Sequence, residues 1–310
     1  MVSVVIPTYN VDPYISRCID SVLNQSYTDI EIVVVDDGSK DGTLSIVTDF
    51  QTRHPNIRIV SHTHNLGLMT TRRDGYNTAT GEFMAFLDGD DALPPDAIAK
   101  LVRKQSDTGA DIVLGDLLKI YTDRHTERRI GHMSKSATPS EVIAALIDNK
   151  IIHSLCGKLF KTQLFKSDKL QTFDHLTIGE DGCLLYQLVA RARSIASIDD
   201  TVYNYYENKA SSSLHVYGTR QIESIIIAYK TMAQVCEHFT ELHTKVSRRL
   251  TRVMFTLYFE RMPIRETRRL LRKHDMLRYG SAKYIFRFLS PRDWWFAIKR
   301  FVYVRTKMHR

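Results

Sequence analysis

The sequence has few of the residues that build disulfide frameworks, zinc sites and membrane spans. Its four cysteines (Cys18, Cys156, Cys183, Cys236) are widely spaced and form no CxxC pair. Neither a disulfide framework nor a zinc site is therefore indicated, and reduced thiols are expected. No run of 18 apolar residues occurs, so we expect no transmembrane helix. Because an apolar strand begins at residue 2, we also expect no signal peptide.

A glycine-rich phosphate loop is also missing after the first strand. The β-branched run Val2–Ile6 leads directly into Pro7-Thr8-Tyr9-Asn10. Nucleotidyltransferases and dinucleotide-dependent oxidoreductases usually carry a glycine-rich loop at this point. Its absence speaks against both classes, although a nucleotidyltransferase that makes sugar nucleotides stays open as an alternative.

What the sequence does contain is a regular alternation of strands and helices. Asp12-Pro13 provides an N-cap and an N1 proline for a helix, and a second buried-type strand covers Ile30–Val35. Further strands are predicted at Ile57–Val60 and Ile112–Leu114, with a helix from Pro94 to about Gln105. This order predicts an α/β fold with a doubly wound, mostly parallel sheet. Ligands of such sheets bind at the carboxyl ends of the strands.

Three polar clusters fall at these strand ends. They are Pro7–Asn10, Asp36–Ser39 and Asp88-Gly89-Asp90-Asp91, the last of which follows a strand predicted at Phe83–Leu87. Crowded carboxylates repel one another, and a hard divalent cation such as Mg²⁺ or Mn²⁺ relieves that repulsion. The acidic cluster therefore indicates a place where a metal and a phosphate-bearing substrate meet. A polar turn is the alternative, because Asp and Gly are common turn formers.

Several stretches closely resemble family 2 glycosyltransferases of the GT-A fold, of the bacterial surface-polysaccharide type. In chain order they are Val4–Asn10, Val33–Thr43, Asn65–Gly67, Thr71–Gly75, the DXD-like Phe86–Asp91 and Gly179–Asp181. The resemblance covers roughly residues 1–215. Thr71, Arg73 and Glu207 depart from the family's common residues, so a phosphate-binding role at 207 cannot be carried over.

The resemblance implies roles for particular residues in binding a nucleotide-sugar donor. Pro7, Thr8 and Tyr9 would line the nucleoside pocket, and Asp37 would accept a hydrogen bond from the base, which suits the N–H of uracil. Arg72 would face the phosphates or the base, although a surface cation beside Arg73 is the alternative.

The resemblance also implies the reacting groups. Asp88 would reach the ribose or its water shell, and Asp90 would ligate the Mn²⁺ or Mg²⁺ that bridges the diphosphate. Asp181 would be the general base in a single inverting displacement. The alternative for Glu180-Asp181 is a helix cap that interacts only with the helix dipole.

The chain divides by charge and by pattern. We predict a GT-A domain at 1–215, with a nucleotide-binding half at about 1–115 and an acceptor-side half at about 116–215. A helical, basic region follows at 216–310. Residues 245–310 carry 19 Lys and Arg against four acidic residues, a balance of +15; because the whole chain carries +8, residues 1–244 carry −7. Such asymmetry indicates a partner.

The basic region mixes cations with aromatics, as in Tyr284–Leu289 and Trp294–Tyr303. An anionic membrane surface selects this combination. The alternatives are a helix packed on the catalytic domain and a nucleic-acid-binding segment, although we expect no nucleic acid.

The sequence therefore predicts a metal-dependent, inverting glycosyltransferase. We expect it to transfer a sugar, from UDP or a related nucleotide, to a saccharide or lipid-linked acceptor of a surface polysaccharide, lipopolysaccharide or glycolipid. We place it in the cytoplasm, peripherally on the inner face of the membrane. A member that binds nucleotide without catalysis is a further alternative, against which the intact Asp88, Asp90 and Asp181 argue.

Overall fold

A computed structural model describes residues 1–123, 125–133, 137–174, 176–207, 218–256 and 264–276. The chain divides into two compact units, Met1–Leu214 and His215–Arg310. The predicted aromatic and cationic segments at 284–289 and 294–303 lie outside the described residues.

Within the described part of the first unit, eight strands form one sheet. They are β1 (Val2–Thr8), β2 (Ile30–Asp36), β3 (Ile57–Ser61), β4 (Phe83–Phe86), β5 (Ile112–Ile120), β6 (Thr126–Arg129), β7 (Lys158–Lys161) and β8 (Ile195–Tyr206). The strand order is β3-β2-β1-β4-β7-β5-β6, and β8 pairs with β5. The β1–β2, β1–β4, β2–β3 and β5–β8 pairs are parallel, whereas β7 is antiparallel to both β4 and β5. The predicted α/β class with a mostly parallel sheet is confirmed.

Six helices accompany this sheet in the described residues. They are α1 (Asp12–Leu23), α2 (Thr43–Arg53), α3 (Leu68–Thr78), α4 (Ala97–Thr108), α5 (Pro139–Ile147) and α6 (Glu180–Arg191). Strands β1 and β2 are buried along their whole length, because apolar β-branched residues fill both of their faces. Helix α3 packs so closely on β1 that a Cβ added to Gly75 would lie 2.3 Å from Val5 Cγ1. Only glycine permits this approach.

Two helix starts differ from the sequence-based prediction. Helix α1 begins at Asp12 itself, after the N-cap residue Val11, and Asp41 accepts the Asp12 N–H at 3.1 Å. The α1 amide is therefore satisfied by a carboxylate from the loop before α2 rather than by an Asp12 cap. Helix α4 begins at Ala97 instead of Pro94, because a residue that precedes a proline avoids the helical conformation.

Strand β5 is three times as long as the predicted Ile112–Leu114, and it changes the interpretation of two segments. It extends to Ile120 and pairs with β6. The polar composition of Lys119–Ser136 predicts an exposed loop or hairpin, and part of this stretch forms a hairpin. Strand β8 runs along β5, and its residues include the buried Tyr203. The pattern of Tyr203–Leu214 predicts a mobile segment; this prediction is wrong up to Tyr206, which ends β8, and residues 208–214 lie outside the described residues.

The second unit is helical where it is described, as predicted. It contains α7 (Thr219–Cys236), α8 (His243–Thr256) and α9 (Ile264–Lys273), and α7 contacts both α8 and α9. The core of α8 is formed by Val246, Leu250 and Met254. No described helix in either unit combines the length and apolarity that a membrane crossing requires. No disulfide joins the four cysteines, all of which lie in the described ranges and are buried.

Candidate active site

The three polar clusters meet at the carboxyl edge of β1, β2 and β4. These strands are adjacent and parallel, so their ends lie side by side. The Asp37 N–H donates to the Thr8 carbonyl at 2.9 Å, which ties the second cluster to the first. Gly89 lies against Thr8, because an added Cβ would approach Thr8 Cγ2 to 3.0 Å. The structure therefore brings the predicted Thr8, Asp37 and Asp88–Asp91 to one edge.

The predicted nucleoside-pocket residues differ in exposure. Pro7 and Thr8 form the buried end of β1, and the Thr8 hydroxyl donates to the Val35 carbonyl at 3.3 Å. Tyr9 is 44% exposed, which is unusual for an aromatic residue next to a core strand. An exposed ring at a polar edge offers a flat surface for stacking.

Asp37 is buried and already holds a loop of the protein. Its Oδ1 accepts the Leu66 N–H at 2.7 Å, and its Oδ2 accepts the Gly67 N–H at 2.9 Å. Oδ1 also lies 2.8 Å from Nδ1 of His62. The carboxylate thus fixes the loop before α3. His62 could not be identified from the sequence, because a single histidine in a polar loop has no distinctive spacing.

Arg72 occupies the centre of the site. Its side chain is 1% exposed and contacts three carboxylates: Nη2 lies 3.0 Å from Asp88 Oδ1, Nη1 lies 3.2 Å from Glu180 Oε1, and Nη1 also contacts Asp181 Oδ1. Burial alone would lower the pKa of Arg72, but the charges of Asp181, Asp88 and Glu180 raise it well above its ordinary value. The interpretation of Arg72 as a surface cation is wrong.

Asp181 lies in the first turn of α6, two residues after the N-cap residue Gly179. Its carboxylate contacts the Arg72 guanidinium and is hydrogen-bonded by the Ser154 hydroxyl. Burial raises the pKa of Asp181 to about 6, while Arg72 opposes that rise. This pKa is closer to neutrality than that of an ordinary aspartate, and a base is most effective when its pKa lies near the working pH.

Residues of β8 fix the acidic cluster after β4 through hydrogen bonds. Asp91 is buried, and its carboxylate accepts the Tyr203 hydroxyl at 2.6 Å and the Tyr206 N–H at 2.8 Å. The same hydroxyl accepts the Asp88 N–H at 3.2 Å. Burial, together with the charges of Asp90 and Asp88, raises the pKa of Asp91 to about 8. Sequence reasoning missed Tyr203, because its contact with Asp91 spans 112 positions.

A turn before β7 forms another wall of the site, within the stretch Ile151–Phe160 that resembles the family's segment before the acceptor pocket. Cys156 Sγ lies 3.7 Å from Asp88 Oδ2, and Ser154 contacts Asp181. The buried Lys158 ammonium donates to the carbonyls of Ser154 (2.6 Å) and Cys156 (3.3 Å). Burial lowers the pKa of Lys158 to about 8. A lysine inside the apolar stretch 155–160 was the signal that could have identified this turn.

The acidic cluster has the chemistry of a divalent-cation site. Asp88 and Asp90 supply hard carboxylate oxygens, and together with Glu180 and Asp181 they outnumber the nearby cations Arg72 and Lys158. A bound cation reduces this excess. The residues therefore fit Mg²⁺ or Mn²⁺.

A second group of possible ligands has a different explanation. Asp116, His132 and Asp199 bring ligand-type atoms within 4.8 Å of one another. Arg128 already bridges the two carboxylates, with its Nε 2.7 Å from Asp116 Oδ2 and its Nη2 in contact with Asp199. The cation at this place is therefore a guanidinium.

Glu207 stands where the family often has an arginine, and it pairs with Lys119 at 3.5 Å. Lys209, which could supply the positive charge instead of that arginine, lies outside the described residues.

Comparison with known proteins places these residues among glycosyltransferases. The family model described as "Glycosyl transferase family 2" matches residues 3–171. The glycosyltransferase EpsJ of Bacillus subtilis is 28% identical over 243 residues, which cover 77% of this chain and 70% of EpsJ. The poly(ribitol-phosphate) beta-glucosyltransferase of Bacillus spizizenii is 32% identical over 241 residues, covering 74% of this chain but 37% of the relative.

A solved structure shares the fold. The crystal structure of S. aureus TarS residues 1–349 in complex with UDP-GlcNAc matches with a TM-score of 0.64 at 19% identity. The match covers 90% of this chain and 89% of the TarS chain. At this identity the similarity shows that the two chains share the GT-A fold. It does not show which ligands the present protein binds.

Proposed function

Because more than half of its residues match the family model, the chain belongs to glycosyl transferase family 2, and we propose that it transfers a sugar from a nucleoside-diphosphate sugar to a glycan acceptor with inversion. The observation that carries this proposal is the contact of one buried arginine with both Asp88 and Asp181. A carboxylate of the acidic cluster and a candidate base are thereby joined in a single site at the carboxyl edge of the sheet.

Donor binding uses the edge formed by β1 and β2. Pro7 and Thr8 shape the nucleoside pocket, and the exposed Tyr9 ring offers a stacking surface for the base. Asp37 accepts the N–H of a uracil ring, for which the second lone pair of its Oδ2 is suited. Asp88 contacts the ribose or its bound water, and Arg72 lies close enough to the acidic cluster to interact with a diphosphate. We therefore propose UDP as the nucleotide, as in the TarS complex with UDP-GlcNAc.

A divalent cation completes the charge balance. Asp90 would ligate Mn²⁺ or Mg²⁺, with Asp88 in the same cluster. When bound, the cation supplies charge neutralisation for the leaving diphosphate. The protein contributes a fixed turn for this purpose, since Tyr203 and Tyr206 hold Asp91 and the Arg17 guanidinium donates to the Asp90 carbonyl at 2.5 Å.

Asp181 is the general base in this proposal. Its carboxylate accepts the proton of the acceptor hydroxyl as the oxygen forms a bond to the anomeric carbon of the donor sugar. The bond from that carbon to the diphosphate oxygen breaks in the same displacement, and the nucleoside diphosphate leaves with the electron pair. A single displacement inverts the anomeric configuration. Ser154 and Arg72 hold the Asp181 side chain in place.

The test is a panel of UDP-, GDP- and CDP-sugars, incubated with the full chain and Mn²⁺ or with EDTA. We expect slow hydrolysis of UDP-sugars that stops in EDTA, and NMR of the released sugar should show the inverted anomer first. Hydrolysis of none of these donors, with no nucleotide binding by calorimetry, would contradict the proposal. A pyrophosphate-dependent exchange into UDP-sugar would instead support the nucleotidyltransferase alternative.

We propose a surface glycan as the product, because one relative is named a poly(ribitol-phosphate) beta-glucosyltransferase. Such acceptors are polymers or lipid-linked chains, and lipid-linked ones are confined to a membrane surface. This fits a peripheral enzyme on the cytoplasmic face of the membrane.

The second unit provides the surface for that attachment. Helix α8 exposes Arg248 and Arg252, and α9 exposes Arg269 and Arg272. Each basic residue near an anionic leaflet contributes about 1 kcal/mol. In co-sedimentation assays, a chain truncated after Gly280 should bind anionic liposomes more weakly than the full chain. The double variant Arg248→Gln/Arg252→Gln should weaken binding further, while donor hydrolysis persists. Equal binding by all forms, or tighter binding to RNA than to liposomes, would contradict membrane attachment.

A further inference from the structure

His62 lies between two carboxylates from different parts of the fold. It follows β3 directly, and its side chain is 8% exposed. Nδ1 lies 2.8 Å from Oδ1 of Asp37, at the end of β2, and Nε2 lies 3.0 Å from Oδ2 of Asp74, in α3. The His62 N–H donates to the Asp36 carbonyl at 2.9 Å, which fixes the backbone beneath the ring. One side chain thus links β2, β3 and α3 at the donor edge.

Both ring nitrogens of His62 face a carboxylate oxygen. Among the described residues, the other charged side chain paired with these carboxylates is Arg73, whose Nε lies 3.7 Å from Oδ1 of Asp74. The His62 ring therefore spans the gap between Asp37 and Asp74, and its position is set from both sides.

Within the described part of the chain, the contacts leave one position on Asp37 for a ligand. Oδ1 accepts from Leu66 N–H and contacts the His62 ring, whereas the one described partner of Oδ2 is the Gly67 N–H. The loop that carries these amides is packed against the turn after β2, because a Cβ on Gly38 would lie 2.7 Å from the His64 backbone. The remaining lone pair of Oδ2 therefore has a fixed direction.

We propose that His62, held in turn by Asp74, is a positioning residue that aims Asp37 Oδ2 at the nucleotide base and so determines base specificity. This inference rests on the proposed function. Uracil presents an N–H donor at N3, which Oδ2 accepts. Cytosine presents an unprotonated ring nitrogen there, which faces the carboxylate without a hydrogen bond. A site built to accept a hydrogen bond rejects a ligand that lacks the donor, because its buried polar group is then unpaired.

Loss of the ring changes this arrangement in a defined way. The single amide group of His62→Gln cannot contact both carboxylates as the two ring nitrogens do. Asp37 keeps the Leu66 and Gly67 N–H groups but loses its contact on the His62 side, so Oδ2 is held less firmly and the preference for an N–H donor weakens. The contacts to ribose and diphosphate lie elsewhere, so they remain.

The test measures UDP and CDP binding to the full chain by calorimetry in Mn²⁺. His62→Gln should weaken UDP binding by about tenfold and leave CDP binding nearly unchanged, so that the UDP-to-CDP preference falls by the same factor. Asp74→Asn keeps an acceptor for Nε2 but removes its charge, and a smaller fall in the same ratio is expected. His64→Gln is the matched control. This histidine of the same loop is exposed, and its one side-chain hydrogen bond to a described residue is with the Thr63 hydroxyl.

An unchanged UDP-to-CDP ratio in His62→Gln, or a wild-type preference for CDP, overturns the inference. The proposed function fails separately, if the wild type binds no nucleotide at all. If His62→Gln does not fold, the same ratio in Asp74→Asn decides.

Discussion

The two carboxylate groups at the carboxyl edge of the sheet are held in opposite ways. Asp37 is surrounded by donors, because two backbone N–H groups and the His62 ring converge on it. At Asp88 and Asp181 the ratio is reversed, because one guanidinium is shared among three carboxylates. One edge of the sheet therefore holds a carboxylate whose hydrogen bonds are satisfied. Next to it lies a group of carboxylates with too few cations, the under-neutralised group.

This difference matches two tasks. A carboxylate fixed by backbone amides has little freedom to move, which suits recognition of a base. Carboxylates that outnumber their cations gain stability from an incoming divalent cation and accept protons more readily, as the raised pKa values of Asp181 and Asp91 show. The second arrangement suits metal binding and general base catalysis.

The largest expected effect comes from removing a carboxylate of the under-neutralised group. Asp90→Asn should abolish turnover and leave the fold intact, because the site loses a metal ligand but no core volume. Turnover is measured with a UDP-sugar in Mn²⁺, and circular dichroism checks the fold. Asp107→Asn, on the exposed face of α4, is the control. Full wild-type activity in EDTA would exclude this metal assignment.

The next effect separates proton transfer from binding. Asp181→Asn should reduce transfer by roughly 100-fold or more, while the affinity for UDP changes little, because the general base acts on the acceptor. Glu180→Gln is the matched control, since Glu180 contacts the same arginine and should cost much less. A near-normal transfer rate in Asp181→Asn would place the base elsewhere.

The pH profile checks the same assignment in the wild type. Because burial raises the pKa of Asp181 to about 6, the transfer rate should fall as the pH is lowered through about 6, where the carboxylate gains a proton and can no longer accept one. The residual activity of Asp181→Asn should lack this acid limb. An identical limb in the variant would assign it to another group.

A smaller effect, on stability, is expected from removing the shared cation. Arg72→Met leaves Asp88, Glu180 and Asp181 facing one another and should lower the free energy of unfolding by about 2–3 kcal/mol, somewhat below a fully buried pair. Urea denaturation measures this change, and Mn²⁺ should restore part of it. Arg73→Met, one residue along and partly exposed, should cost less than about 1 kcal/mol. Equal losses in both variants would show that the carboxylates do not depend on Arg72.

Local patterns explain most of what the sequence could predict. The strand ends at Pro7, Asp36 and Asp88 follow from apolar runs that stop at polar residues, and the capping box of α5 pairs Thr138 with Glu141 only three positions away. A parallel arrangement then places these ends together without further information. The class of fold and the position of the acidic cluster were therefore accessible.

The remaining site features depend on contacts between distant positions. Arg72 reaches Asp181 across 109 positions, and neither residue's neighbours reveal the other. His62 acquires its role only because β2, β3 and α3 converge. Strand β5 was predicted too short, because Gly115 and Asp116 interrupt its apolar pattern; its second half is stabilised by pairing with β6 and β8. Burial and pairing of this kind arise from the tertiary fold.

The position of β7 between β4 and β5 has a consequence for biosynthesis. Strand β4 pairs with β1 on one side, but its other neighbour is β7, roughly 70 residues later in the chain. At a synthesis rate of 5–20 residues per second, that edge stays open on the ribosome for roughly 4–14 s. Open strand edges recruit other chains. The growing polypeptide therefore passes through an aggregation-prone interval that ends when residues 158–161 emerge, and a fragment cut near residue 115 would retain that open edge permanently.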